Sequence, residues 1–129
     1  MANKKIITTE KAPAPIGPYN QAVQVGNLLF VSGQIPLDPV TMELVSDGIK
    51  SETNQVMENL KAILEAAGLT FENVVKSSIF LADMADFAVV NEVYGACFNE
   101  STAPARETVQ VAALPKGVGV EISVVAVME

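Results

Sequence analysis

Arg106 is the only arginine among 129 residues, and it follows Ala103-Pro104-Ala105 directly. A guanidinium offers a planar fork of donors that matches a carboxylate, whereas an ammonium is a point charge. With a strand over 106–112, Arg106, Thr108 and Gln110 share one face, and Glu107, Val109 and Val111 share the other. One reading of Arg106 is a carboxylate anchor at the start of that strand. The other is an arginine held by a structural ion pair at an interface. Glu121 is the second candidate, because it lies within the otherwise apolar run VGVEISVVAV. A carboxylate there is partly desolvated, which raises its pKa toward values useful for proton transfer. Two alternatives stay open for Glu121: a structural partnership with Arg106, or exposure at the strand end.

Weaker signals surround these two. Tyr19 follows Gly17-Pro18, where its hydroxyl can donate or accept a hydrogen bond, although packing is the plainer role for a turn tyrosine. Ser32-Gly33 closes an apolar strand, and its backbone groups are placed where strand ends line pockets. Lys116-Gly117-Val118-Gly119 holds a lone G-x-G, which without a strand-to-helix context is only a hairpin turn. Cys97 falls on an apolar helical stripe and reads as an inert core thiol.

Composition removes most other chemistry. The chain has no His, no Trp and one Cys, so metal sites and His-assisted nucleophiles have almost no residues to draw on. No metal and no cofactor is expected. One Cys also rules out an intramolecular disulfide and points to a reducing, cytoplasmic setting. The net charge of −7, with seven scattered Lys, opposes nucleic-acid binding. No segment has the apolar length of a signal peptide, and apolar runs such as 27–31 and 124–128 are far short of the ~20 residues of a spanning helix. No membrane association is expected. The mean hydropathy of +0.34 is nevertheless high for a small domain. A chain of this size has a limited interior, so part of its apolar surface is expected at a subunit interface.

The elements that must position these residues follow from the periodicity. Residues 12–18, APAPIGP, read as an extended approach. A hairpin is predicted from 20–25 and 28–31 around Gly26-Asn27, followed by a long loop over 34–48. Val56, Leu60, Ile63, Leu64 and Ala67 fall at helical spacing, with Gly68 as the stop. A strand follows over 73–82. A second amphipathic helix is predicted over 86–99, with Asp86 as its cap and Phe87, Val90, Val93, Tyr94 and Cys97 on its stripe. Strands over 106–112 and 119–128 complete the order β-β-α-β-α-β-β. One α+β domain spanning 1–129 is expected, with two helices on one face of a single sheet and a neighbouring subunit on the other.

Taken together, Ala103-Pro104-Ala105-Arg106, Thr108-Val109-Gln110-Val111-Ala112, Leu114-Pro115-Lys116 and Val120-Glu121-Ile122 resemble the C-terminal signature of the reactive-intermediate deaminases, the RidA/YjgF family. APAPIGPYNQAV, Val31-Ser32-Gly33-Gln34-Ile35-Pro36, NLKAILEAAG and DFAVVNEVY match as well, so the resemblance covers nearly the whole chain. It implies a chorismate-mutase-like fold, a homotrimer with sites in the clefts between subunits, and small 2-imino or 2-oxo acid ligands. The implied activity is hydrolysis of 2-iminopropanoate and 2-iminobutanoate to 2-oxo acids and ammonia. The resemblance assigns Arg106 to the substrate carboxylate and Glu121 to the attacking water. It places Tyr19, Ser32, Gly33, Asn91 and Thr108 along the cleft, and Phe87 as an apolar wall. Glu107 and Thr108 depart from the Ser-Cys pair that many members carry after the arginine. Parity directs Glu107 away from Arg106. A different class of function, a non-catalytic metabolite-binding regulator or holdase-like trimer, fits the same composition.

Overall fold

The computed structural model describes residues 3–128. Its strands are β1 (Lys4–Ile7), β2 (Ala22–Val25), β3 (Leu28–Gln34), β4 (Val74–Leu81), β5 (Ala105–Gln110) and β6 (Val120–Val127). Its two α-helices are α1 (Ile49–Ala66) and α2 (Phe87–Gly95). The strands form one mixed sheet in the order β1-β2-β3-β6-β4-β5. All neighbours pair antiparallel except β4 and β5, which run parallel. The fold is therefore a single α+β unit, as the periodicity predicts.

Alternation decides the two faces of the sheet. Along β6, Val120, Ile122, Val124 and Ala126 are buried, while Glu121, Ser123, Val125 and Val127 alternate with them on the opposite face. Ser77, Ile79 and Leu81 of β4 and Leu29 and Val31 of β3 join the buried side. On that side α1 supplies Val56, Leu60, Ile63 and Leu64, and α2 supplies Val90 and Tyr94. The opposite, open face displays Phe30 and Val109, both at least 40% exposed, together with Leu28.

The helix ends show what local sequence can specify. Gly68 takes a φ of +79°, and the Gly68 and Leu69 amides bond back to Glu65 and Leu64, which is a Schellman stop. The second helix differs from expectation. It stops at Gly95, so Cys97 lies beyond it, half-buried, with burial pushing its thiol pKa up. Asp86 makes no capping bond. Asp83 instead accepts from the Ala85 amide and starts a 3-10 turn, Met84–Asp86, that leads into α2.

The periodicity also missed β1. Only Ile7 of its four residues is buried, and two of the others are lysines. A segment so short is stabilised by its ladder to β2 rather than by its own pattern, and edge lysines are a common feature of such strands.

Candidate active site

The site around Arg106 begins with the chain that leads into it. Ala103 is extended, at φ −60° and ψ 149°, as a residue before proline must be, and Pro104 then delivers Ala105 into β5. Parallel pairing sets Arg106 opposite Ser77, on the face that α2 covers. Phe87, Asn91 and Tyr94 recur along α2 at spacings that place them on one side of the helix. All three meet the guanidinium. Arg106 Nη1 donates to Asn91 Oδ1 at 2.6 Å, and Cζ lies 5.3 Å from the Tyr94 ring centre and 5.8 Å from that of Phe87. Aromatic faces attract a guanidinium and restrict its motion without occupying its donors.

Tyr94 is in turn fixed from below. Its hydroxyl donates to the buried Ser77 Oγ at 2.8 Å. Burial pushes its phenol pKa up, against smaller opposing effects from Ser77 and Arg106. Among the described residues Arg106 has no carboxylate within ion-pair distance. The guanidinium is thus held by a neutral amide and two rings, and the rest of its fork faces a cleft of about 680 Å³. Asn91, Tyr94, Phe98, Glu100 and Pro104 line that cleft with Arg106.

Thr108 follows on the same face of β5, and its Oγ1 is buried without a hydrogen-bond partner among the described residues. Glu107 points to the open face, as parity requires. There it accepts from Ser78 and pairs with Lys76 at 2.9 Å, and these two partners, Ser78 first, lower its carboxyl pKa. It does not compete for the guanidinium.

Glu121 also lies on the open face, opposite Phe80 of β4. It is half-buried, and desolvation raises its carboxyl above the ordinary 4.5. The space it fills exists because residue 33 is glycine: a Cβ there would stand 2.5 Å from Glu121 Oε2. The register of β3 against β6 shifts between Val31 and Gln34, so Ser32-Gly33 forms an irregularity in the strand. Ser32 Oγ donates to the Asn20 carbonyl at 2.6 Å and ties that segment to β3. Tyr19 and Gly33 line one small cavity of about 30 Å³. Among the described residues the hydroxyl of Tyr19, a residue 48% exposed, accepts only a long 3.5 Å bond from the Ile16 amide.

The sequence-predicted residues therefore fall into two clusters. Arg106, Asn91, Phe87 and Thr108 gather between β5 and α2, while Glu121, Gly33, Ser32 and Tyr19 gather around the β3 irregularity. Within one chain the sheet stands between Arg106 and Glu121. Tyr94 and Glu100 were not among the predicted site residues. The only sequence signal for Tyr94 was its spacing from Phe87 and Asn91, which a core stripe explains equally well.

A small α+β domain with a guanidinium held by neutral groups at its sheet edge and a half-buried glutamate on its other face defines the class. The chain belongs to the RidA/YjgF family: the family described as endoribonuclease L-PSP matches residues 9–128. The mouse 2-iminobutanoate/2-iminopropanoate deaminase is 53% identical over 124 residues, 96% of this chain and 91% of that protein. The crystal structure of RidA from an Antarctic Psychrobacter superposes with a TM-score of 0.91 at 52% identity, covering 96% of this chain and 99% of that one. E. coli TdcF with bound serine gives 0.90 at 46% identity, covering 97% and 99%.

Proposed function

We propose that the chain hydrolyses reactive 2-imino acids and their enamine tautomers, among them 2-iminopropanoate and 2-iminobutanoate, to 2-oxo acids and ammonia. The observation that carries this reading is the Arg106 guanidinium, immobilised by neutral groups with part of its fork free, in a chain 53% identical to a deaminase of those substrates. The serine bound to TdcF is a ligand of similar chemistry, a carboxylate beside a nitrogen-bearing carbon.

In this reading the chain forms a homotrimer of chorismate-mutase-like packing, with the apolar open faces between subunits. Each site combines the Arg106 cluster of one subunit with the Glu121 cluster of a neighbour. Arg106 holds the substrate carboxylate. Glu121 accepts a proton from a water as the water's oxygen attacks the imine carbon, which gives a carbinolamine. Proton return to nitrogen and collapse of that intermediate release ammonia and leave the 2-oxo acid. A raised pKa makes the Glu121 carboxylate a better proton acceptor, and such assistance is typically worth ~10²–10⁴-fold. Imines are hydrolysed readily in water, so orientation and one directed base suffice.

The test generates each imine with an amino-acid oxidase or dehydratase and follows 2-oxo acid release. The wild type speeds release, and Arg106→Ala lowers kcat/KM by about 100-fold, as loss of a charge-assisted carboxylate anchor predicts. Binding of 2-oxo acids without turnover establishes the regulatory reading instead.

A further inference from the structure

The helix that braces Arg106 does not start on a cap of its own. Asp86, at the head of α2, makes no capping bond, and the amides of the 3-10 turn Met84–Asp86 before it need acceptors from elsewhere. Asp83 supplies two: its Oδ1 accepts from the Ala85 amide at 2.9 Å, and its carbonyl from the Asp86 amide at 3.0 Å. The remaining amide, that of Met84, donates at 2.7 Å to Oε1 of Gln110, which lies 26 residues further on at the end of β5.

That bond joins α2 to the strand that carries Arg106. Gln110 and Arg106 share one face of β5, with Gln110 registered against Leu81 and Arg106 against Ser77 of β4. The Val111 amide donates to the Leu81 carbonyl at 2.9 Å, so the strand is still anchored just past Gln110. At the other end, Arg106 Nη1 donates to Asn91 Oδ1 at 2.6 Å. The 3-10 turn and α2 are therefore tied to β5 at two points, Met84 to Gln110 and Asn91 to Arg106. Between these points β5 covers on the order of 13 Å and the helical unit about 12 Å, so the two spans agree and α2 lies along the strand in the opposite direction. Phe87, whose ring also meets the guanidinium, falls between them in the chain.

We propose that Gln110 is a positioning residue for Arg106: by accepting from the Met84 amide it sets where α2 begins along β5, and with it where Asn91 and Phe87 meet the guanidinium. That Arg106 holds a substrate carboxylate rests on the deaminase reading above, whereas the effect of Gln110 on the guanidinium does not. Without the bond, α2 is tied to the strand only through Arg106 itself, and the guanidinium is less restrained in direction. A carboxylate anchor acts alike on bound substrate and transition state, so loosening it raises KM and leaves kcat unchanged. A glutamate at this position offers Met84 the same accepting oxygen, while a methionine fills similar volume and offers none.

Arg106 is the only arginine, so its Nε–H gives a single guanidinium NMR signal that is read without substrate. The experiment records that signal in wild type, Gln110→Met, Gln110→Glu and Asn91→Ala, and measures KM and kcat on an imine generated by an amino-acid oxidase. The expected result is that Gln110→Met moves the signal toward its position in Asn91→Ala and raises KM about threefold at unchanged kcat, within the worth of one hydrogen bond. Gln110→Glu restores the wild-type signal and KM. In the Asn91→Ala background Gln110→Met has a smaller effect on KM, because both act through one contact. An unmoved signal in Gln110→Met, or the same rise in KM in both backgrounds, overturns the proposal, as does a lowered melting temperature with signal and KM unchanged. Absence of imine hydrolysis in the wild type, with the signal still moving in Gln110→Met, overturns the deaminase reading and supports the positioning role.

Discussion

Arg106 and Glu121 project from opposite faces of one sheet: Arg106 is registered against buried Ser77 on the helix side, and Glu121 against Phe80 on the open side. A site that uses both must therefore draw them from different copies of the chain. In the proposed trimer, Arg106→Ala and Glu121→Gln variants are each slowed by about 100-fold or more but complement one another. Refolding them together at equal amounts regenerates intact sites with probability about one quarter, since each heterologous interface takes one residue from each side. Imine hydrolysis at about a quarter of the wild-type rate is the expected outcome. No recovery in a mixture shown to exchange subunits places the two residues in separate roles.

Gly33 and Glu121 form a second coupled pair. In Gly33→Ala the new Cβ meets the carboxylate at 2.5 Å, so Glu121 must leave its position. The atoms displaced belong to a flexible, half-buried side chain, so the change costs little stability and acts mainly on where the carboxylate sits. The diagnostic result is a fall in kcat of tenfold or more with KM little changed, measured beside a denaturant titration that shows the variant folded.

The direction of the Glu121 pKa shift gives a pH dependence with a definite sign. Burial raises the folded value above the ordinary 4.5, so the folded state binds this proton more tightly than the unfolded chain does. The contribution to stability is fully present below 4.5 and is lost as pH rises through the folded value. Glu121→Gln is accordingly more stable than wild type at pH 7, and that advantage disappears at and below pH 4.5. The wild-type hydrolysis rate follows the opposite course, rising with pH as the carboxylate forms, with a midpoint above 4.5. Thermal melts and rate profiles across this range test both.

Tyr94 separates support of Arg106 from stability. Tyr94→Phe keeps the ring beside the guanidinium and loses the bond to buried Ser77, so it costs about 1–3 kcal/mol of stability with little change in KM. Tyr94→Leu removes the aromatic face as well, and KM for the imino acid rises severalfold. Equal KM values for the two variants would show that the ring does not position Arg106.

Much of this architecture is readable from local pattern. The apolar spacing of Val56, Leu60, Ile63 and Leu64 predicts α1, Gly68 marks its end, and the alternation through 120–127 assigns Glu121 and Ile122 to different faces. Strand parity also separates Glu107 from Arg106 correctly. These properties depend on residues a few positions apart, which the periods of helix and strand bring into line. Elements held by distant partners are less legible. β1 exists through its pairing with β2, and α2 stops at Gly95 although the apolar stripe continues to Cys97.

The chemistry divides in the same way. Residue type marks Arg106 and Glu121 as candidates, because a lone guanidinium and a carboxylate in an apolar strand are chemically conspicuous wherever they fold. Their relationship is decided only by the sheet order β3-β6-β4-β5, which sets the two on opposite faces and gives each its own surroundings. The Tyr94–Ser77 support under Arg106, the fit of Gly33 against Glu121 and the bond from the Met84 amide to Gln110 all join residues from separate elements. Spacing along the chain carries no information about such contacts, because they form only when non-local strand pairing and helix packing bring those elements together.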